Sequence, residues 1–413
     1  MKATTLYKLL AVCLGALLTG LAACGGGGGG VGSGGTGQAM SAGSGTVTGF
    51  ASVIVDGEEY EDDGVTPMTE LTWGQLTATT ARLGHFAEIG FDRDGSVLRA
   101  RSIRLDAAVA GPVDSVDADA QTLQALGLTV VVNTSPATGP VTVFAGVSGL
   151  SDLAAGDLVE VHGVPRWNAQ TSRYDVQAGR IEKLTAALSA YRLSGVVQGL
   201  QTGASGPTFT LGGLTIDAAG ASVLPSGQAL ENGRRVIVWT AAAPVSGSLQ
   251  ATGIRVIVRE EGSSSAPARL GGVVGRLDTG AKTFDVAGVT VTYDGAQVTP
   301  PVRPLENGAY VLVRGRYADD GSFVADHVKL RRPSQDDDDL EVRLEGAISD
   351  YASDASFLVR GIEVDASGVN ARPGCGSQPL ANGRRVEVEG EIRAGGSSGS
   401  VVRATKLSCV TTP

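Results

Sequence analysis

Base is in short supply in this chain. Lys and Arg number 33 against 43 Asp and Glu, a net charge of −10 over 413 residues. A surface of that sign repels a phosphate backbone, which excludes the electrostatic grip that non-specific nucleic-acid binding needs. Aromatics make up only 5% of the residues, too few for the stacked rings on which single strands are held. The four cysteines include no Cys-x-x-Cys pair, so neither a zinc ribbon nor a dithiol redox centre is written here. Only three histidines occur, His85, His162 and His327, and they fall at different places in different repeats. That scatter predicts no shared metal site. After the N-terminal region no apolar run approaches the eighteen or so residues a spanning helix needs.

What is abundant is glycine, 60 residues of it, among short runs of valine, leucine and threonine. That mixture predicts many short strands and tight turns.

The N-terminus carries Lys2 and Lys8, then an apolar run over Leu9–Ala23, the right length for a secretory signal core. The run ends Leu21-Ala22-Ala23-Cys24, which resembles the lipobox of bacterial lipoproteins. The resemblance implies a diacylglyceryl group on the Cys24 thiol, cleavage before it and acylation of the new amine. Each buried methylene contributes about 0.8 kcal/mol, and two or more chains hold where one does not. Loss of Lys2 and Lys8 with the signal takes the net charge from −10 to −12. Residues 25–45, GGGGGGVGSGGTGQAMSAGSG, cannot bury a core and are expected to form a tether with an r.m.s. reach of about 25 Å. By the family's sorting rule, Gly25 after the lipidated cysteine implies an outer-membrane lipoprotein, facing the periplasm or the surface.

The remainder repeats itself. Leu193-Ser194-Gly195-Val196-Val197, Leu270-Gly271-Gly272-Val273-Val274 and Leu344-Glu345-Gly346-Ala347-Ile348 each open a copy. Alternating segments follow from Phe209, Phe284 and Phe357, and then the pairs Asn232-Gly233, Asn307-Gly308 and Asn382-Gly383, 75 residues apart. A further alternating strand and an Ala-x-x-aliphatic close (Ala251, Ala325, Ala404) complete each copy. Two divergent copies precede them. The expected division is a signal peptide over 1–23, a lipidated Cys and tether over 24–45, and repeats over 46–105, 107–183, 192–258, 269–331 and 343–409. Period-two alternation and about five strands per copy predict an all-β chain of tandem small OB-like barrels, because an open sheet of that size leaves costly edges.

The order Gly-x-Val, Phe-x-Val-x-Gly, Leu-x-x-Gly-x-x-Val-x-Val-x-Gly, Ala-x-x-Ile resembles a domain-of-unknown-function family found in tandem in bacterial lipoproteins. GFASVIVDGEEYE (49–61) and GPVDSVD (111–117) are similar to that family's phrases. The resemblance implies an OB-like barrel and an envelope location, and no established activity.

Few residues offer chemistry. Cys375 and Cys409 share the fifth copy and, in an oxidising periplasm, are the candidate disulfide, against two buried thiols as the alternative. Gly395-Gly396-Ser397-Ser398-Gly399 fits a nucleophile-elbow pattern but falls in a hairpin with no helix to follow. Gly275–Thr283 has the glycines and lysine of a phosphate loop, yet a strand begins at Phe284. Asp336–Asp339 reads as a solvated linker rather than a Ca²⁺ site. Arg234-Arg235 and Arg384-Arg385 recur at equivalent strand starts and are candidates for an anionic ligand. No catalytic residue, metal or cofactor is expected. The expectation is a non-enzymatic binding or scaffolding protein, joined to the membrane through its lipid, with an envelope glycan or protein as partner. A structural spacer, its repeats supplying reach, is the alternative; an enzyme is third. Serial binding predicts exposed polar or aromatic residues at matching positions in several copies.

Overall fold

A computed structural model describes residues 41–257, 266–318, 321–331, 342–396 and 399–410. Among the described residues the chain is all-β, with two single 3₁₀ turns, and forms five small barrels. Cys24 and Asp336–Asp339 lie outside the described residues.

Each barrel follows one plan. Barrel 1 comprises β1 (Ser41–Phe50), β2 (Val53–Val55), β3 (Glu58–Tyr60), β4 (Met68–Thr72), β5 (Gln75–Ala78), β6 (Phe86–Asp94) and β7 (Val97–Leu105). Barrel 2 has β8 (Val109–Asp117), β9 (Thr122–Ala125), β10 (Leu128–Val132), β11 (Val143–Ala145), β12 (Leu158–Asn168) and β13 (Arg173–Lys183). Barrel 3 has β14 (Tyr191–Val196), β15 (Gln198–Gly203), β16 (Gly206–Leu211), β17 (Leu214–Asp217), β18 (Ser222–Leu224), β19 (Arg235–Thr240), β20 (Ser248–Gln250) and β21 (Gly253–Val256). Barrel 4 has β22 (Ala268–Val273), β23 (Gly275–Asp278), β24 (Thr283–Val286), β25 (Val289–Thr292), β26 (Gln297–Thr299), β27 (Tyr310–Tyr317) and β28 (Phe323–Leu330). Barrel 5 has β29 (Val342–Ser353), β30 (Ser356–Val359), β31 (Ile362–Asp365), β32 (Arg385–Gly396) and β33 (Gly399–Cys409).

In barrel 5, β29 pairs with β30, β30 with β31, β31 with β33 in parallel, β33 with β32, and β32 back with β29. The strand order is therefore 1-2-3-5-4-1, the closed five-stranded barrel of OB type. The parallel contact of strand three with strand five recurs in barrels 2, 3 and 4, and barrel 1 makes it just past strand three, through Glu61 opposite Arg99.

The repeated residues explain this plan. Phe209, Phe284 and Phe357 are buried in strand two, and Val236, Val311 and Val386 lie on the buried face of strand four. The asparagine of each Asn-Gly pair accepts a backbone N–H from strand one: Leu200 to Asn232, Leu277 to Asn307, Tyr351 to Asn382, at 2.8–3.0 Å. The glycine beside it adopts a positive φ, 84–89° in these three copies, and donates its own N–H to the preceding turn of strand one. Gly84 and Gly156 do the same in barrels 1 and 2 without the asparagine. A second glycine, at Gly163, Gly315 and Gly390, marks the bulge where strand four shifts register against strand five. A side chain there would collide with the backbone of strand five.

The barrels do not follow one another as beads. In its first half strand one bonds to strand four on one side only, and the open edge is where barrels meet. β1 pairs in parallel with β22 of barrel 4 and with β29 of barrel 5. β8 of barrel 2 pairs with β14 of barrel 3, and β11 of barrel 2 meets β33 of barrel 5 at Ala145 and Gly399. Pairing covers edges that would otherwise invite association with other chains. The cores fuse accordingly: barrels 2 and 3 share one buried cluster, barrels 1 and 5 another. The tether expected through residue 45 ends earlier, since Ser41–Gly45 lie in β1 against β6. Their small side chains, which read as linker, are what let β1 lie between two neighbours.

Candidate functional site

Cys375 and Cys409 are joined in a disulfide, with Cα atoms 4.9 Å apart and a sequence separation of 34. Arg384 packs across it, donating from Nη2 to the Cys375 carbonyl at 2.7 Å and from Nε toward Cys409 Sγ at 3.1 Å. The bridge ties the loop after strand three to the end of strand five. Replacing both cysteines with alanine is expected to destabilise barrel 5 by about 3–4 kcal/mol in the chain-entropy account of a loop this long. Denaturant titration with and without reductant checks this, because reductant should shift the parent and leave the variant unmoved.

The other candidates from sequence are consumed locally or in packing. Gly275–Thr283 is a hairpin between β23 and β24, where Asp278 Oδ1 accepts the N–H groups of Gly280 and Ala281. The glycine-serine stretch is the β32–β33 hairpin; Ser397 and Ser398 lie outside the described residues, and Gly399 fits against the backbone of β11. Arg234 pairs with Glu231 at 3.1 Å and Arg235 with Glu88 of barrel 1 at 2.9 Å. Arg385 pairs with Glu345.

Two histidines that sequence positions kept apart come together. His85 and His162 stack with ring centroids 4.1 Å apart, both buried between barrels 1 and 2. Equivalence between repeats is no guide here, because unlike parts of the two barrels face each other. His162 Nε2 is 2.8 Å from Glu160 Oε1. Burial, aided by His162, Arg180 and Arg82, pushes the His85 pKa down, so this ring is held neutral. His327 is elsewhere, paired with Thr299 at 2.9 Å.

The tryptophans are not exposed platforms. Trp73 of barrel 1 lies against Trp239 of barrel 3 at 5.0 Å, and Trp239 donates its indole N–H to Leu71 O. Around them Glu70, with no exposed surface, receives Arg255 through both oxygens at 2.7 Å and Arg104 at 3.3 Å. Arg192, equally buried, donates to Glu70 O and to Asp106. Burial pushes the Asp106 carboxyl up, but Arg192 and Arg104 outweigh it and hold it below the usual range. Trp167 and Tyr174, on the long β12–β13 hairpin, likewise reach barrel 4: Tyr174 donates to Asp285 at 2.7 Å, and Arg276 lies over the Trp167 ring. The serial, exposed aromatic surfaces expected of repeats that bind in parallel are not present among the described residues.

Concavities lie between the barrels, among them one of about 410 Å³ lined by Asn133, Thr142, Phe144, Arg331 and Ile392. A cavity of about 540 Å³ opens where barrels 1, 2 and 5 meet, within the range that takes a small molecule. Its walls come from the loop before β6 in barrel 1 (Thr79–Leu83), from β11 and the end of β13 in barrel 2, and from the β30–β31 turn and the β32–β33 hairpin in barrel 5. Ser400 Oγ accepts the Phe144 N–H at 2.9 Å, joining β33 to β11 at its floor. Arg180 lines it, 7% exposed, its Nε and Nη2 on Glu182 at 3.1 and 2.6 Å. Arg360 is pinned by the carbonyls of Glu345 and Ala51 at 2.6 and 3.1 Å, so it ties barrel 5 to barrel 1 while facing the opening. Arg82 stands exposed at the mouth. Nothing in a single repeat marks these residues, since they converge only when three barrels pack.

Three stretches of the chain match the domain of unknown function DUF5666. They are residues 110–182, 271–329 and 345–407, which are barrels 2, 4 and 5. Three barrels thus match one uncharacterised domain family, repeated along the chain, and barrels 1 and 3, outside the matched stretches, have the same topology. No curated protein matches the chain. A solved chain described as drosophila Unr CSD456 is similar at 13% identity over 53% of this chain and 97% of that one, with a TM-score of 0.14. A superposition that poor supports no argument from that protein.

Proposed function

We propose that this is a lipid-anchored outer-membrane protein of the bacterial envelope that binds a small molecule, without catalysis, in the cavity between barrels 1, 2 and 5. The observation that carries the binding reading is the fusion of the barrels. Edges pair and cores merge until the repeats act as one body, and that body leaves a built cavity that no repeat has alone. The lipobox-like Leu21-Ala22-Ala23-Cys24 supports the anchor, and the Cys375–Cys409 disulfide suits an oxidising compartment outside the cytosol. The non-enzymatic reading rests on where the buried ionisable groups are. Glu70, Asp106 and His85 sit at contacts between barrels, and so does Asp56 of barrel 1, which accepts the Tyr310 hydroxyl of barrel 4. A spacer that gains reach from serial repeats is disfavoured by barrels whose first strands are bonded to one another.

Two measurements test this. Cys24→Ala is expected to release the protein from membranes into the soluble fraction, and full retention of that variant would sink the anchor. For the ligand, a thermal-shift screen on the full chain carrying Cys24→Ala would include small carboxylates, amines, neutral alcohols, glycans and Ca²⁺. A ligand at about 100 times its dissociation constant stabilises by about 2.7 kcal/mol. The expected shift disappears when Ala81→Trp fills the cavity. A shift that survives Ala81→Trp places binding elsewhere, and no shift with any compound favours a structural role.

A further inference from the structure

The cavity holds guanidinium donors that no group among the described residues takes up. Arg180 is buried and uses Nε and Nη2 on Glu182, which leaves Nη1 with no partner among the described residues. The exposed Arg82 guanidinium has no hydrogen-bond or ion-pair partner among them either, the residue's only bond being the His85 N–H on its backbone carbonyl. Arg360 is held by two carbonyl oxygens, so no carboxylate offsets its charge through those bonds. Of the acids on the same wall, Glu182 takes both Arg180 bonds on Oε2, Glu363 has a partner of its own, and Asp62 lies in the field of Arg360. The guanidinium donors left open are those of Arg180 Nη1 and Arg82. A ligand satisfying them must accept hydrogen bonds, and a carboxylate suits a guanidinium because it takes two parallel N–H bonds. A cationic ligand would meet both groups as like charges. Phe50, Phe144, Ile362 and Ile392 supply the rest of the lining, so the ligand also carries an apolar body.

We infer that the cavity takes a small monocarboxylate with an apolar body, its carboxylate received by Arg180 Nη1 and by Arg82 at the mouth. This deepens the binding reading above and rests on it. Three probes of matched shape separate the two: 4-phenylbutyrate, 4-phenylbutanol and 4-phenylbutylamine, titrated calorimetrically into the full chain carrying Cys24→Ala in a buffer without carboxylates. The expected result is that 4-phenylbutyrate binds at least about tenfold more tightly than the other two. Arg82→Gln, on an exposed side chain, should lower that affinity by about tenfold while the thermal midpoint stays unchanged. Ala81→Trp should abolish binding. Equal or tighter binding of the alcohol or the amine overturns the anion class and leaves the cavity reading standing. Undiminished binding of 4-phenylbutyrate to Arg82→Gln and to Ala81→Trp overturns the assignment of the site. If none of the three probes binds at millimolar concentration, the inference is wrong, and the wider thermal-shift screen then decides separately whether the cavity binds anything at all.

Discussion

Glu70→Ala is expected to lower the stability of the full chain by about 3–5 kcal/mol, the usual cost of removing one partner from a buried ion pair. The carboxylate has no exposed surface and is met by Arg255 through both oxygens and by Arg104. Its Oε1 also accepts the Gly74 N–H at 2.9 Å, which closes the turn carrying Trp73. Without it, the guanidinium of Arg255 is left over the Trp73 ring with no counter-charge. Arg192, already buried with Nε and Nη2 unpaired, depends more heavily on Asp106. The loss should open the contact between barrels 1 and 3 before it unfolds either. Urea titration reads the energy, and limited proteolysis reads the order, with cleavage near Trp73 preceding global loss. The pair is not assumed to be stabilising against an apolar alternative, since desolvation of buried charges offsets most of their attraction. Glu70→Leu combined with Arg255→Met should recover part of the loss. A single variant that loses under about 1 kcal/mol would mean that water reaches the site and solvates the arginines.

How far the sequence discloses this molecule depends on whether a feature lies within a repeat or between repeats. Strands and barrel plan are legible because alternation, the buried phenylalanines and the Asn-Gly corner act over a few residues and recur. Val236 and Val311 announce an inward face, and Asn307 with Gly308 announces a corner that only a left-handed residue can turn. Contacts between barrels leave no such mark. His85 follows the corner glycine of barrel 1, whereas His162 is inside strand four of barrel 2, so comparing repeats places them apart. Their stacking comes from the close approach of Gly84 to Gly179, where a side chain on either would collide with the other's backbone. Trp73, Glu70 and Arg255 are likewise separated by up to 185 residues. The cavity draws its three arginines from three barrels. Composition could hint at these sites only by anomaly: rare aromatics and histidines must be spent somewhere, and here they are spent on the joints.

Two of those joints should oppose each other as the pH falls. Asp56, in the contact of barrel 1 with barrel 4, is buried and accepts the Tyr310 hydroxyl at 2.8 Å and the Thr46 N–H at 3.2 Å. Gly45 and Gly271 leave the space its carboxyl occupies. Burial raises its pKa from 3.8 to about 6, outweighing Tyr310 and Arg331. Between these values the folded state holds a proton that the unfolded chain has lost, so acidification from pH 6 stabilises the fold by about 1.4 kcal/mol per unit. His85 acts in the other direction. Its folded pKa is depressed by burial and by His162, Arg180 and Arg82, so below about pH 6.5 the unfolded chain binds a proton that the folded state refuses, and stability falls by about 1.4 kcal/mol per unit. The two slopes cancel between about pH 6 and 5, before Asp106 and Glu160, both held low, reach half-protonation in the unfolded chain. The parent should therefore show a nearly flat stability profile there. His85→Phe keeps the ring stacked on His162 and removes its titration, so this variant should gain stability on acidification. Asp56→Asn should lose stability over the same interval. At pH 4.5 the two variants, matched at pH 6, should differ by about 4 kcal/mol, from two opposing slopes over one and a half units. Urea midpoints across the interval measure the slopes directly, and parallel profiles for the two variants would show that neither group titrates as its surroundings dictate.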